Sequence, residues 1–337
     1  MKGTMRALVF PESWTVELID VSIPECGPDD VLAKMVSVGI CGSDVGIFEG
    51  GHWIEAHEPG GHGHETGAIA VEVGENVDGI EVGDHLARMG QGYAEYSTYV
   101  NVIGHGKDEK TGARPIVRND MTMDEISFAD AVGCAINCFE RAEFERIEGT
   151  PKAVVFGLGP IGLILTQILL NNGIEVAASE PYHHKRNLAE KWGAETFDPN
   201  EFTRPTHGNY TVVDEISKEF GVPHAVFEMV GLNETLLDAI DLINPGYRVV
   251  VFGAQKMQYI PYVNCRKKGV ELVYPEAMVN SKAEKDYWDE ALDMIASGAL
   301  DLENLITKRI TLEEAVDAFK YYNREEWIKI IVEPQRK

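Results

Sequence analysis

The sequence predicts an α/β protein in two parts: a doubly wound parallel sheet and a β-rich unit. Three observations carry this. From Thr150 onward short apolar strands alternate with helical stretches, the mark of βαβ units. Before that point, strand-like runs are broken by Gly, Pro and Asp with little helical period. At the junction a strand ending at Phe156 runs into a glycine turn and then a helix. With 337 residues, 44% of them hydrophobic, the chain has room for two domains and a sizeable core.

The elements follow in order. Ala7–Phe10 reads as a first strand rather than a leader, being too short for a signal-peptide core. Val31–Val38 and Gly67–Gly74 read as β-branched strands, and 77–84 carries two turn signals, Asp78-Gly79 and Gly83-Asp84. The polar stretch 105–114 reads as a solvated loop. Beyond the junction come a strand at 153–156, an apolar helix at 161–171, a strand at 174–178 and a helix at about 183–192 closed by Gly193. Strands follow at 225–228 and 248–252. Amphipathic helices at about 285–297 and 312–322 and a last strand at 327–332 complete the chain. The predicted division is 1–150, completed by about 285–337, against 151–284.

Gly157-Leu158-Gly159-Pro160-Ile161-Gly162 fits the GxGxxG dinucleotide pattern, with a strand before it, a helix after it and a second strand about 20 residues on. Gly157 permits the tight turn. Gly159 lets backbone approach a pyrophosphate at the helix N-terminus, where Pro160 and Ile161 begin the helix, and Gly162 allows close packing. Glu180 closes the second strand, 18 residues after Gly162 (180 − 162). A carboxylate there accepts hydrogen bonds from the adenosine ribose and repels a 2′-phosphate, which favours NAD over NADP. Lys185 and Arg186 pull the other way, as flanking cations or as solvated helix charges.

A second group lies in the β-rich part. Cys41 stands in Gly39-Ile40-Cys41-Gly42-Ser43-Asp44, His64 in Gly63-His64-Glu65, and Cys134 in Gly133-Cys134-Ala135. Two thiolates and an imidazole suit zinc, and three protein ligands leave a fourth position for water or substrate. Each cysteine is equally readable as a buried apolar residue, and the histidine as a hydrogen-bonded core residue. Asp44 is placed to hold a ligand, and Glu65 to act as an outer carboxylate or an alternate ligand. Five cysteines, an odd and sparse set, do not make a disulfide framework.

In order, GICGSD at 39–44, GHE at 63–65, EVGENVDGIEVGDHLA at 72–87, GYAEY at 92–96, GC at 133–134, GLGPIG at 157–162 and PGYRVVVFG at 245–253 resemble the medium-chain zinc alcohol and polyol dehydrogenases over nearly the whole chain. The resemblance implies a GroES-like catalytic domain beside a Rossmann domain. It implies catalytic zinc on Cys41, His64 and Cys134 with Glu65 adjacent, and a cofactor site that includes Lys185, Phe252 and Gly253. Polyol-type relatives often carry Glu at the Cys134 position, so this Cys leans towards the alcohol dehydrogenase pattern. A homodimer or homotetramer is implied as well.

Three departures sharpen the expectation. The four-cysteine lobe for structural zinc is absent, since Ala87–Gly90 leads directly to Gly92–Tyr96, so one zinc per subunit is expected. Gly46 stands where many relatives place a relay His. Histidines 52, 57 and 62 crowd the approach to His64, as relay candidates or as surface loop residues.

The expected reaction moves hydride between a secondary alcohol, polyol or sugar and NAD, with zinc as Lewis acid in a dry cleft. The proton would leave through Ser43, then a water, a ribose hydroxyl or His52. Glu95, Asn137 and the histidines would suit a polar substrate, whereas Phe48, Trp53 and Tyr93 would suit an apolar one. The rival readings are a zinc-free quinone or enone reductase, which needs none of Cys41, His64 and Cys134, and a non-catalytic nucleotide sensor. A net charge of −25, from 55 acidic and 30 basic residues, disfavours nucleic acid and anionic membranes as partners. No apolar run approaches the ~20 residues of a membrane span, and the cytoplasm is the expected location.

Overall fold

The computed structural model describes residues 2–50, 58–61, 63–99, 114–202, 211–253, 259–275 and 287–337. His52, Trp53, His57, His62 and all of the 105–114 loop except Arg114 lie outside the described residues. The chain forms two compact units, Met1–Asp130 with Val279–Lys337, and Ala131–Met278.

The first 130 residues hold strands β1 (Thr4–Val9), β2 (Glu17–Ser22), β3 (Val31–Gly39), β4 (Glu65–Val73), β5 (His85–Ala87), β6 (Tyr96–Tyr99) and β7 (Ile116–Val117). Helices α1 (Gly42–Phe48) and α2 (Met123–Ser127) lie among them, and α3 (Ala129–Arg141) crosses the boundary between the units. The second unit continues with β8 (Lys152–Phe156), α4 (Pro160–Asn171), β9 (Glu175–Ser179), α5 (His183–Trp192), β10 (Glu195–Phe197), α6 (Val212–Glu219), β11 (Ala225–Glu228), α7 (Asn233–Leu242), β12 (Arg248–Val251), α8 (Tyr262–Lys268) and β13 (Glu271–Val273). The first unit ends with α9 (Tyr287–Ala296), β14 (Ile306–Ile310), α10 (Leu312–Lys320) and β15 (Lys329–Val332).

In the first unit β1 and β2 pair antiparallel, and a larger sheet runs β14-β15-β3-β4-β5-β7 with β6 also on β3. The pairing of β15 with β3 decides the site. Ile331 faces Gly39 and Val332 faces Val38, and the Ile40 N–H donates to the Ile330 carbonyl at 3.0 Å. The C-terminal strand therefore lies against the run that leads into Cys41. Beneath it Phe10, Ile40, Val45, Phe48, Tyr93 and Phe319 share one buried core. Phe319 meets Phe10 and Tyr93 edge-on, with ring centroids 5.0 and 5.5 Å apart.

The second unit is an all-parallel sheet ordered β10-β9-β8-β11-β12-β13. Strand order reverses between β8 and β11, the point at which doubly wound sheets place a ligand crevice outside the C-terminal ends of their strands. β11 is buried along its length, and α4 buries Gly162 to Leu169, as helices on a two-faced parallel sheet must. Together the two units make the expected fold class, a Rossmann-type parallel sheet and a mainly antiparallel β-rich domain. No helix among the described residues is long and apolar enough to cross a membrane.

The strands and helices read from periodicity are present within a few residues of their expected ends. Not read were short strands such as β10 and β13, and the helices α1, α2, α3, α6, α7 and α8. α6 is announced by a polar signature alone: Thr211 caps it and the Asp214 carboxylate accepts the Thr211 N–H at 2.7 Å.

Candidate functional site

Cys41 is the N-cap residue of α1, extended at φ −91° and ψ 154°. Its backbone N–H donates to Asp44 Oδ2 at 2.9 Å, so the carboxylate three residues on closes the first turn from the far side. Val45, Ile47 and Phe48 anchor α1 in the core. The thiol thus leaves a rigid helix start rather than a loose loop.

His64 and Glu65 come from the entry to β4. The Gly92 N–H donates to the Gly63 carbonyl at 2.9 Å, and a Cβ on Gly63 would lie 2.9 Å from Gly92 N, so only glycine admits this approach. Donor atoms of Cys41, His64 and Glu65 all lie within 4.8 Å of one another. His64 Nδ1 faces Asp44 Oδ1 at 3.7 Å, and His64 Nε2 faces Asp130 Oδ1 at 3.9 Å. Burial works against a charged imidazole. The charges of Asp44, Cys41 and Asp130 outweigh it and hold the His64 pKa well above the usual value. Burial pushes the Asp130 carboxyl up to about 6, with His64 opposing.

Asp130 was not singled out in the sequence. It lies on α3, one turn before Cys134, so the two share a helix face. Cys134 is 4% exposed and belongs to the second unit, whereas Asp130 belongs to the first.

Two further buried partners support the cluster. Tyr93 Oη donates to Asp44 Oδ2 at 2.6 Å, and the ring is fully buried. Burial, reinforced by the Asp44 charge, raises the Tyr93 pKa well above the usual phenol value, so the hydroxyl stays a donor. Lys329, from β15, pairs with Glu65, both side chains being 2% exposed, and its ammonium reaches the Ile40 carbonyl at 3.4 Å. Gly39 admits the carboxylate, because a Cβ there would lie 2.1 Å from Glu65 Oε2. Tyr93→Phe should leave the fold intact and weaken metal affinity by roughly 10–100-fold, the usual effect of losing an outer hydrogen bond. Competition with a chelating dye measures it, and unchanged affinity would remove Tyr93 from the support of the site.

Several expected pocket residues have other work. The Glu95 carboxylate accepts two hydrogen bonds from Arg6, each 2.9 Å, and Phe48 and Tyr93 are core residues. Asn137 Oδ1 accepts from Arg141 at 3.3 Å. Ser43 Oγ is buried with no hydrogen-bond partner. A Cβ on Gly46 would meet nothing within 4 Å, so the position is open.

The dinucleotide turn lies in the second unit, between β8 and α4. Gly157 has φ +94°, and a Cβ on it would strike Val230 at 2.6 Å. A Cβ on Gly162 would lie 2.1 Å from the Gly157 carbonyl, so α4 starts hard against the turn. Gly159 faces open space, and Pro160 takes the first helical position. Ile161 follows it in the first turn. Glu180, 4% exposed, accepts from the Leu158 N–H at 2.7 Å and the Tyr182 N–H at 3.2 Å. That fixes the carboxylate beside the glycine turn with lone pairs to spare. Lys185 lies over the Tyr182 ring, 4.8 Å from its centroid, and Arg186 pairs with Asp198 at 3.0 Å. The N–H groups of Phe252 and Gly253 both donate to the Glu228 carbonyl at 2.9 Å.

Two family models match in tandem: the alcohol dehydrogenase GroES-like domain over residues 27–117 and the zinc-binding dehydrogenase over residues 160–297. The chain belongs to the medium-chain zinc-dependent alcohol and polyol dehydrogenases. It is 27% identical to a D-arabitol-phosphate dehydrogenase from Enterococcus avium over 99% of this chain and 97% of that one. It is 26% identical to the sorbitol dehydrogenase of Mus musculus, over 98% and 96%. The fold is shared with 2R,3R-butanediol dehydrogenase from Bacillus subtilis at a TM-score of 0.81 and 21% identity, covering 98% of this chain and all (100%) of that one. This medium-chain dehydrogenase is an oxidoreductase acting on CH–OH donors with a nicotinamide cofactor. A zinc-free reductase and a nucleotide sensor are not favoured.

Proposed function

We propose that the protein oxidises a secondary alcohol, polyol or sugar with NAD, using one zinc ion held by Cys41, His64 and the Asp130 carboxylate. The observation that carries this is the gathering of the Cys41, His64 and Glu65 donor atoms within 4.8 Å of one another, with Asp130 Oδ1 3.9 Å from His64 Nε2. A soft sulfur, a borderline nitrogen and a hard oxygen suit zinc better than magnesium or calcium. Zinc supplies Lewis acidity towards the substrate oxygen. Asp44 orients the imidazole through Nδ1, and Lys329 holds Glu65 beside the ligands. Ser43 Oγ, buried and without a hydrogen-bond partner, would take the proton of the substrate hydroxyl and pass its own proton on to a water or a ribose hydroxyl.

Cys134, the ligand the sequence suggested, and Asp130 are separated by experiment. Asp130→Asn should lower bound zinc, measured by mass spectrometry of the metal, and reduce kcat/KM by about 100-fold or more. Cys134→Ser should retain both. The reverse pattern would return the ligand role to Cys134. In the same assays Ser43→Ala should lower kcat about tenfold or more and change its pH profile, as loss of a proton-relay group does. An unchanged rate and profile would free Ser43 of that role.

Glu180 supports NAD over NADP, because its fixed carboxylate would face a 2′-phosphate. A panel of alcohols, polyols and sugars, run with each cofactor and with and without chelator, tests the whole reading. Turnover that is indifferent to chelator and metal content would overturn it. Light scattering checks the expected homodimer or homotetramer.

A further inference from the structure

We propose that Glu228 is a positioning residue for the nicotinamide half of the cofactor, acting through the loops that follow β11 and β12. The inference rests on the chain's use of a nicotinamide dinucleotide, and on the sheet topology.

Glu228 is the last residue of β11 and is fully buried, at 0% exposure. A buried carboxylate without ion pairing is costly to desolvate, so its hydrogen bonds should reveal its task. Oε1 accepts from the Val230 N–H at 3.1 Å, the Gly231 N–H at 2.8 Å and the Thr235 hydroxyl at 2.6 Å. One oxygen therefore curls residues 229–232 and ties them to the start of α7. The backbone carbonyl of the same residue receives the N–H groups of Phe252 and Gly253 at 2.9 Å. Residues 229–232, after β11, and 252–253, after β12, are thus pinned to one residue.

The close approaches are tight. A Cβ on Gly253 would lie 2.0 Å from Gly231 N and 2.7 Å from Glu228 Oε2. Oε2 itself is buried with no hydrogen-bond partner. Val230, shaped by the same carboxylate, lies against Gly157 of the dinucleotide turn. A buried acid held by three donors on one oxygen, with glycines cleared around it, is more than a core requires. A Leu or Val would fill the strand end without that desolvation.

Topology says which half of the cofactor is concerned. Strand order reverses between β8 and β11. In the proposed cofactor site the β8 turn and Glu180 serve the pyrophosphate and adenosine side, so residues 229–232 and 252–253, at the ends of β11 and β12, border the opposite half. Disturbing them should affect ligands that reach across the reversal and spare ligands that do not.

The test uses the full-length enzyme and equilibrium binding of two probes, NADH and ADP. Glu228→Ala should raise the Kd for NADH about tenfold, the loss of hydrogen bonds to a charged acceptor, while the Kd for ADP stays within about twofold. Glu228→Gln keeps an acceptor for the 230, 231 and 235 donors and should restore NADH binding to within about threefold of the parent. Equal weakening of both probes would mark a general defect of the unit and overturn the proposal. So would unchanged NADH binding in Glu228→Ala, or Glu228→Gln as weak as Glu228→Ala. If Glu228→Ala loses cooperative unfolding, Thr235→Val decides, since it removes a single donor. A rise of about threefold in Kd for NADH alone supports the assignment, and no rise, or an equal rise for ADP, overturns it. A failure of NAD-linked turnover as such would show instead as lost NADH binding in the parent enzyme.

Discussion

Cys41→Ser is expected to strip the enzyme of its zinc and lower kcat/KM by at least about 10³-fold, while the fold and NADH binding survive. The separation is possible because the proposed site gives Cys41 two independent tasks. As N-cap of α1 it needs only a short polar side chain and an extended backbone, and serine is among the best residues for that place. As a metal ligand it needs a thiolate, which serine cannot offer near neutral pH. The Asp44 carboxylate still accepts the backbone N–H of residue 41, so the start of α1 persists. The glycine turn and Glu180 belong to the other unit, and the Kd for NADH should change by less than about threefold. Zinc per chain, circular dichroism and NADH titration on one preparation give the three readings. A variant that keeps its metal and its rate would sink the ligand assignment of Cys41. A variant that loses the metal but keeps its rate would sink zinc chemistry altogether.

The same residues show how far a sequence can be read. β8, α4, β9 and α5 were legible because apolar period, a glycine turn and a closing Gly193 agree with one another. The pair Cys41 and His64 was legible because the donor types are rare and their neighbours, Asp44 and Glu65, are acids. Helix α3 was not. Ala129–Arg141 carries an amphipathic stripe, but a glycine stands in its interior and disfavours a helix, and the Gly133-Cys134-Ala135 run reads as a ligand motif rather than as part of one. Without the helix there was no reason to see that Asp130 stands one turn before Cys134 and faces His64. Lys329 was hidden differently. Its partner Glu65 is 264 positions away, and only the pairing of β15 with β3 joins them. One signal was available: a lysine in a strand otherwise made of Ile and Val, which is either exposed or paired with a buried acid.

That pair gives the second large effect. Lys329→Met should destabilise the first unit by about 3–5 kcal/mol, because it leaves Glu65 charged and buried without its counter-ion. The methionine itself fits: the strand is buried at every position and the new side chain has similar length. The damage therefore lies in the orphaned carboxylate. Adding Glu65→Gln to Lys329→Met should recover much of the loss, since an amide is far cheaper to bury than an anion. Thermal or urea unfolding of the two single variants and the double variant forms the cycle. Additive losses would show that the pair is not coupled. The pH dependence carries a sign. Burial tends to lower the Lys329 pKa, but Glu65 and Cys41 outweigh it, so the folded value lies above the unfolded value of about 10.4. A raised folded pKa means that the contribution is fully present below the unfolded value and is lost as pH rises through the folded one. Between pH 6 and 9 the parent and Lys329→Met should therefore differ by a constant amount, and the gap should close only in strong alkali. A gap that closes near neutrality would mean that Lys329 is discharged there and that something else holds Glu65 in place beside the metal ligands.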